Sequence, residues 1–152
     1  MISSLASPTT TRVEDVGGKA ASLFRLHAMG CVVPDFFVLT AGAARQGLTP
    51  EVRAAVFEAL AALGGDNHAY AVRSSSIAED SAGHSFAGVF DTILDVRGGE
   101  AVVAAVARCL ASHHSAASAA YRDSRSVVSD DAMAVIVQRM VDASWAGVSF
   151  SA

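Results

Sequence analysis

Positive charge is in short supply in this sequence. Its 152 residues hold 11 Lys and Arg against 15 Asp and Glu, a formal net charge of -4. No cationic field is available to hold a polyanion, so nucleic acid is not an expected partner. Cysteine is scarce as well. Cys31 and Cys109 lie far apart with no Cys-x-x-Cys or Cys/His ligand spacing around either, which argues against a disulfide framework and a zinc site. Both read as small apolar residues. Long hydrophobic runs are missing too: the greasiest stretch, Ala101 to Ala111, is interrupted by Arg108, and nothing reads as a bilayer span. Met1 to Thr11 contains no basic residue and no apolar block of signal-peptide length. Export is therefore not expected, and a cytoplasmic location is the default.

What is present suits one globular domain. A hydrophobic fraction of 52%, much of it alanine, is enough for a core at this length. Residues 1–12 read as a flexible amino terminus and 13–152 as the folded unit. Leu23, Leu26 and Ala20 fall at helical spacing in the segment Lys19 to Met29, with Gly17-Gly18 before it and Gly30 as its stop. Phe36 to Thr40 is rich in strand formers. Thr49-Pro50-Glu51 is a helix start with Thr49 as cap and Pro50 in the first position, and Gly64-Gly65 ends that helix after Leu63. Tyr70 to Arg73 reads as a buried strand running into Ser74-Ser75-Ser76. The small, polar stretch from Ile77 to Gly88 reads as a mobile loop, and Phe86 sits in it like an anchor. Asp91 to Val96 is a strand, Glu100 to about Tyr121 an alanine-rich helix, and Met133 to Val141 the clearest strand. Trp145 to Ser151 reads as its hairpin partner. Helices and strands interleave throughout, which predicts an α/β (α+β) fold with a mixed sheet and flanking helices.

Several residues bear chemistry. Gly17-Gly18-Lys19 is not a P-loop, since that motif needs a glycine where Val13 stands and Ser or Thr where Ala20 stands. A lysine in the first turn of a helix nonetheless sits at the positive end of the macrodipole, which is unfavourable unless an anion is near. Lys19 is either a phosphate contact or a solvated lysine after a glycine turn. Arg73, at the end of an apolar strand, is either an ion-pair partner or a planar fork for phosphate oxygens. Gly88 allows close backbone approach to phosphates. Thr92 supplies either a hydroxyl donor or a β-branched strand residue. Alternation along Met133 to Val141 sets Gln138 on the face of Ile136 and Met140, a polar group on an apolar face. Its amide needs a partner, either a purine edge or a neighbouring loop.

The phrases Gly17-Gly18-Lys19-Ala20-Ala21-Ser22-Leu23, Val33 to Thr40, Ala71-Val72-Arg73-Ser74-Ser75, Ala78-Glu79-Asp80, Ser85-Phe86-Ala87-Gly88, Asp91-Thr92 and Val137-Gln138-Arg139-Met140-Val141 occur in this order. Together they resemble the amino-terminal nucleotide-binding region of phosphoenolpyruvate synthases and pyruvate phosphate dikinases, a region shared with rifampicin phosphotransferases. The resemblance runs from about Val13 to Ala152 and implies the first lobe of an ATP-grasp-type domain. It implies ATP phosphates on Lys19 and Arg73, Gly88 and Thr92 in the phosphate-covering loop and its base, and Gln138 near the adenine or ribose. The sequence departs from the family pattern at Val89-Phe90, where a polar pair is usual, and at Asp35 and Phe37, where Pro and Gly are usual.

The resemblance also implies parts that these residues do not supply. Magnesium carboxylates and a later Gln/Arg pair belong to a second lobe, and a phosphorylatable histidine belongs to a separate domain. His27, His68, His84, His113 and His114 lack the surroundings of that carrier histidine. ATP-dependent phosphorylation of a carrier histidine, then of pyruvate or another acceptor, is thus expected only once these parts are added. The apolar segment Trp145 to Ala152 is expected to border a contact with a partner protein bearing them, or with a second copy of this chain. The alternative is a non-catalytic nucleotide-binding or scaffold module that associates with a partner protein.

Overall fold

The computed structural model describes residues 1–76, 92–123 and 133–147, and within the last helix the side chains up to residue 112. The elements in chain order are β1 (Ile2–Ser4), α1 (Val13–Ala28), β2 (Phe36–Leu39), α2 (Ala41–Ala44), α3 (Pro50–Ala62), a single 3₁₀ turn (Gly65–Asn67), β3 (Tyr70–Ser76), β4 (Thr92–Val96), α4 (Gly99–Asp123) and β5 (Met133–Arg139). The strands form one five-stranded sheet in the order β1-β2-β5-β3-β4. The α/β organisation with flanking helices is as expected. The strand pairings themselves are antiparallel throughout the described residues, where a mixed sheet was anticipated. Alternating helices and strands suggest parallel crossovers, but here β5 inserts between β2 and β3, a choice that local pattern does not encode.

Period-two alternation divides the apolar residues between the two faces of the sheet. On one face Phe37, Leu39, Tyr70, Val72, Val96, Val135 and Val137 meet Val52, Val56 and Leu60 of α3 and Val102, Val103, Val106 and Cys109 of α4. On the other, Phe36, Val38, Ala134 and Ile136 meet Val16, Ala20, Ala21 and Phe24 of α1. The rings of Phe24 and Phe36 pack tilted with centroids 4.9 Å apart. The sheet is thus the middle of three layers. Burying each large side chain here is worth about 1.5–3 kcal/mol.

Thr49 caps α3 as expected, its Oγ1 accepting from the Val52 N–H at 3.3 Å, with Pro50 in the first helical position. Gly30, at φ 84°, ends α1, and the Cys31 N–H reaches back to the Leu26 carbonyl at 3.0 Å. Three local readings differ from the structure. Ile2–Ser4 form a strand on the edge of β2, where a flexible terminus was expected. A three-residue strand carries too little pattern to be seen without its neighbour. Strand β5 ends at Arg139, two residues before Val141, and residues 140–147 hold no strand, so the part of the expected hairpin partner that is described, Trp145 to Gly147, is irregular. Cys31 is exposed, whereas Cys109 lies in the core. The anticipated loop from Ile77 to Gly88 lies outside the described residues.

Candidate functional site

The register fixes which candidate residues share a surface. Arg73 lies opposite Thr92 on β4 and Ile136 on β5, and Ala71 lies opposite Gln138. Directly paired residues point to the same side, so Arg73, Thr92 and Gln138 all belong to the face that α1 covers. Thr92 and, two residues on, Leu94 are exposed there, Leu94 at 60%. Gly88 lies outside the described residues.

Lys19 reaches the same face from α1. The helix is not continuous: Gly17 sits at φ 76°, ψ 167° and breaks it, so a second helical segment starts at Gly18 with Lys19 in its first turn. Lys19 thus stands in a first helical turn as expected, although helical geometry already begins upstream at Val13. The Lys19 ammonium donates to the Ser74 carbonyl at 3.4 Å, which sets it against β3 one residue from Arg73. The opening turn is buried, with Gly17, Gly18 and Ala20 all inside. A positive dipole end beside an ammonium is in general an unfavourable pairing of roughly 0.3–1 kcal/mol, which a nearby anion offsets.

Arg73 is the most informative of the set. Its Nε is buried and has no hydrogen-bond partner, and among the described residues no carboxylate pairs with the guanidinium. A native structure seldom leaves such a donor unsatisfied, so the ion-pair reading lacks its partner there. The planar fork remains suited to phosphate oxygens. Gln138 is different. It is 9% exposed, and its Nε2 donates to the Pro34 carbonyl at 3.2 Å. The amide therefore ties β5 to the loop before β2, the neighbouring-loop partner.

Ser75 is a member of this face that pattern reading passed over. It is fully buried, and its Oγ accepts from the Ala20 N–H at 3.2 Å. The signal was available: two residues beyond Arg73 on an alternating strand, Ser75 had to share its face. No group of three or more His, Cys, Asp or Glu side chains that could hold a metal ion occurs among the described residues. Among the described residues the side chains of this face are cationic, amidic and hydroxylic, with no carboxylate pair suited to Mg2+. A cavity of about 1140 Å³ opens elsewhere, between the β1 edge and α3, lined by Phe37, Leu39, Val52, Ala59, Glu58 and His68 among others. None of Lys19, Arg73, Thr92 or Gln138 lines it.

The family described as the pyruvate phosphate dikinase AMP/ATP-binding domain matches residues 44–152. The chain belongs to that family. It is 37% identical over 99% of its length to the prodigiosin synthesizing transferase PigC of Serratia marcescens. It is 46% identical over 70% of its length to a rifampicin phosphotransferase of Streptomyces, and 34% identical over 91% to the phosphoenolpyruvate synthase of Escherichia coli. The chain spans 20%, 13% and 24% of those three proteins, respectively. The ordered phrases from Gly17 to Val141 thus resemble the family to which the chain belongs, and ATP binding is the property its description names.

Proposed function

We propose that this ATP-binding domain serves a phosphoenolpyruvate synthase-like phosphotransferase, in which ATP phosphorylates a carrier histidine that then passes the phosphoryl group to pyruvate or another acceptor. In this proposal Lys19 and Arg73 hold the phosphates. Gly88 and Thr92 form the covering loop and its base, and Gln138 borders the adenine or ribose by holding the loop at Pro34. The observation that carries the reading is the buried Arg73 Nε without a hydrogen-bond partner, on the face where Lys19 stands over β3. Two cations from different layers lie on this face, and a phosphate would satisfy the Arg73 donor beside Lys19.

Phosphoryl transfer consists mainly of positioning and neutralising charge. The residues described here provide part of the positioning. Magnesium carboxylates and the carrier histidine are proposed to lie on a second lobe and a further domain, in a longer chain or in a partner protein, and the working location is proposed to be the cytoplasm. Titration calorimetry with ATP tests the phosphate contacts: Lys19→Ala and Arg73→Ala are each expected to weaken binding at least about tenfold, the lower end for charge-assisted hydrogen bonds of about 1.5–3 kcal/mol. Circular dichroism should show both variants folded. Unchanged affinity in both variants would falsify the proposal.

A further inference from the structure

We infer that Ser75 is a positioning residue, which caps the helical segment beginning at Gly18 from across the layer and thereby locks Lys19 and Arg73 into one phosphate-binding unit. This rests on the reading of Lys19 and Arg73 as phosphate contacts and adds the device that holds them in register.

A helix that starts at Gly18 leaves its first N–H groups without intrahelical partners. The usual remedy is a Ser, Thr, Asp or Asn side chain on the preceding residue. Gly17 stands there instead and has no side chain to offer. Neither is one possible: φ is 76°, and a Cβ at Gly17 would overlap the carbonyl oxygen and Oγ of Ser75. Water is not a substitute, because Gly17, Gly18, Ala20 and Ser75 are all buried. An unpaired N–H here would carry the full cost of desolvation. Ser75 supplies the missing cap through the bond from the Ala20 N–H to its Oγ, 3.2 Å long and 55 residues apart in sequence.

The position of the cap matters as much as its presence. Ser75 lies two residues from Arg73 on β3, and Ala20 follows Lys19 directly. A single bond therefore joins the neighbours of both cations, and the Lys19 ammonium adds its own contact to the Ser74 carbonyl between them. The break at Gly17 brings the helix backbone close enough for this clasp, and the clasp fixes where the positive end of the helix points. Without Ser75 the first turn would lose its anchor on β3, and Lys19 would no longer be held at a set distance from Arg73.

The test uses the whole chain, with ATP, adenosine and inorganic tripolyphosphate as probes and amide NMR as the readout. Ser75→Ala is expected to speed hydrogen exchange at the Ala20 amide and to weaken ATP and tripolyphosphate binding about tenfold, while leaving adenosine binding unchanged. In a Lys19→Ala background the same substitution should weaken ATP binding further by less than about twofold, since coupled residues are not additive. Faster Ala20 exchange with unaltered ATP affinity would show a purely structural bond and overturn the inference, even if Lys19→Ala still weakened binding. Unaltered affinity in Lys19→Ala and Arg73→Ala would instead remove the phosphate-site reading, and the inference with it. Should Ser75→Ala fail to fold, the unsubstituted chain decides: tripolyphosphate must slow exchange at Ala20 and shift Ser75 together with Lys19. Shifts at Lys19 with none at Ala20 or Ser75 would overturn the clasp.

Discussion

Arg73 and Gln138 lie on the same face of the sheet yet stand in opposite thermodynamic positions, and their substitutions should separate accordingly. The Arg73 Nε is a buried donor with nothing to bond, a state that costs about 1–3 kcal/mol. Arg73→Met keeps the aliphatic stem and removes that donor, so the melting temperature of the nucleotide-free chain is expected to hold or rise. A fall equivalent to more than about 2 kcal/mol would instead reveal an ion pair worth preserving. Gln138 already has its partner, the Pro34 carbonyl. Gln138→Leu should therefore lower stability by roughly 1 kcal/mol, the usual net worth of one such bond, in urea unfolding without nucleotide. A residue that served the nucleotide alone would show no change there. Alternation was sufficient to bring these two residues together, but it could not say which of them was satisfied. That depends on whether the loop before β2 passes within 3.2 Å of the amide.

Helix starts are the elements that show how far local chemistry reaches. For α3 the signal is wholly local: Thr49 accepts from Val52, Pro50 occupies the first position and Glu51 lies in the first turn. Thr49→Ala is expected to cost about 1 kcal/mol, measured as a shift in the urea midpoint with unchanged slope. The Glu51 carboxyl is held below the ordinary carboxylate value, first by its own backbone N–H and then by the Thr49 hydroxyl. A pKa depressed on folding contributes stability above the unfolded value and loses it as pH falls through the lower folded value. Glu51→Gln should therefore flatten part of the acid limb of a stability-versus-pH curve below the ordinary carboxylate range and leave neutral pH almost untouched. Two other helix starts are not local. The break in α1 relies on Ser75, and the Gly99 N–H of α4 bonds to Asp66 Oδ1 at 2.9 Å. Both caps come from residues distant in sequence, so no window of ten residues contains them.

For the molecule as a whole, the quantity to explain is how much of the proposed nucleotide site these residues would provide. Lys19, Arg73 and Thr92 gather on one face of one sheet, and the relatives that this chain matches are several times longer. Under the proposal these residues form one wall of a cleft, and one wall forgoes most of the contacts that offset the loss of translational and rotational freedom. ATP is therefore expected to bind the isolated chain with affinity on the order of 1 mM, about 4 kcal/mol, and micromolar binding by calorimetry would contradict this. Trp145, the only tryptophan, is 93% exposed, and Val141 is 61% exposed nearby. Its emission should lie at long wavelength in the free chain. Under the proposal that a partner or a second copy covers this region, it should shift to the blue as sedimentation reports a complex. A complex without that shift would place the contact elsewhere.

The sequence determined most of the elements and the two faces of the sheet, because burial imposes a period of two on strands and a cap such as Thr49 is written within a few residues of its helix. It also determined the family, through short phrases whose order survives where any one alone is weak. Tertiary structure decided the rest. Insertion of β5 between β2 and β3, the pairing of Ile2–Ser4 with the β2 edge, and the Ser75 cap beneath Gly17 each join residues tens of positions apart. Such bonds depend on where the chain returns after folding, since a backbone group accepts whichever partner the packed layers bring within about 3 Å.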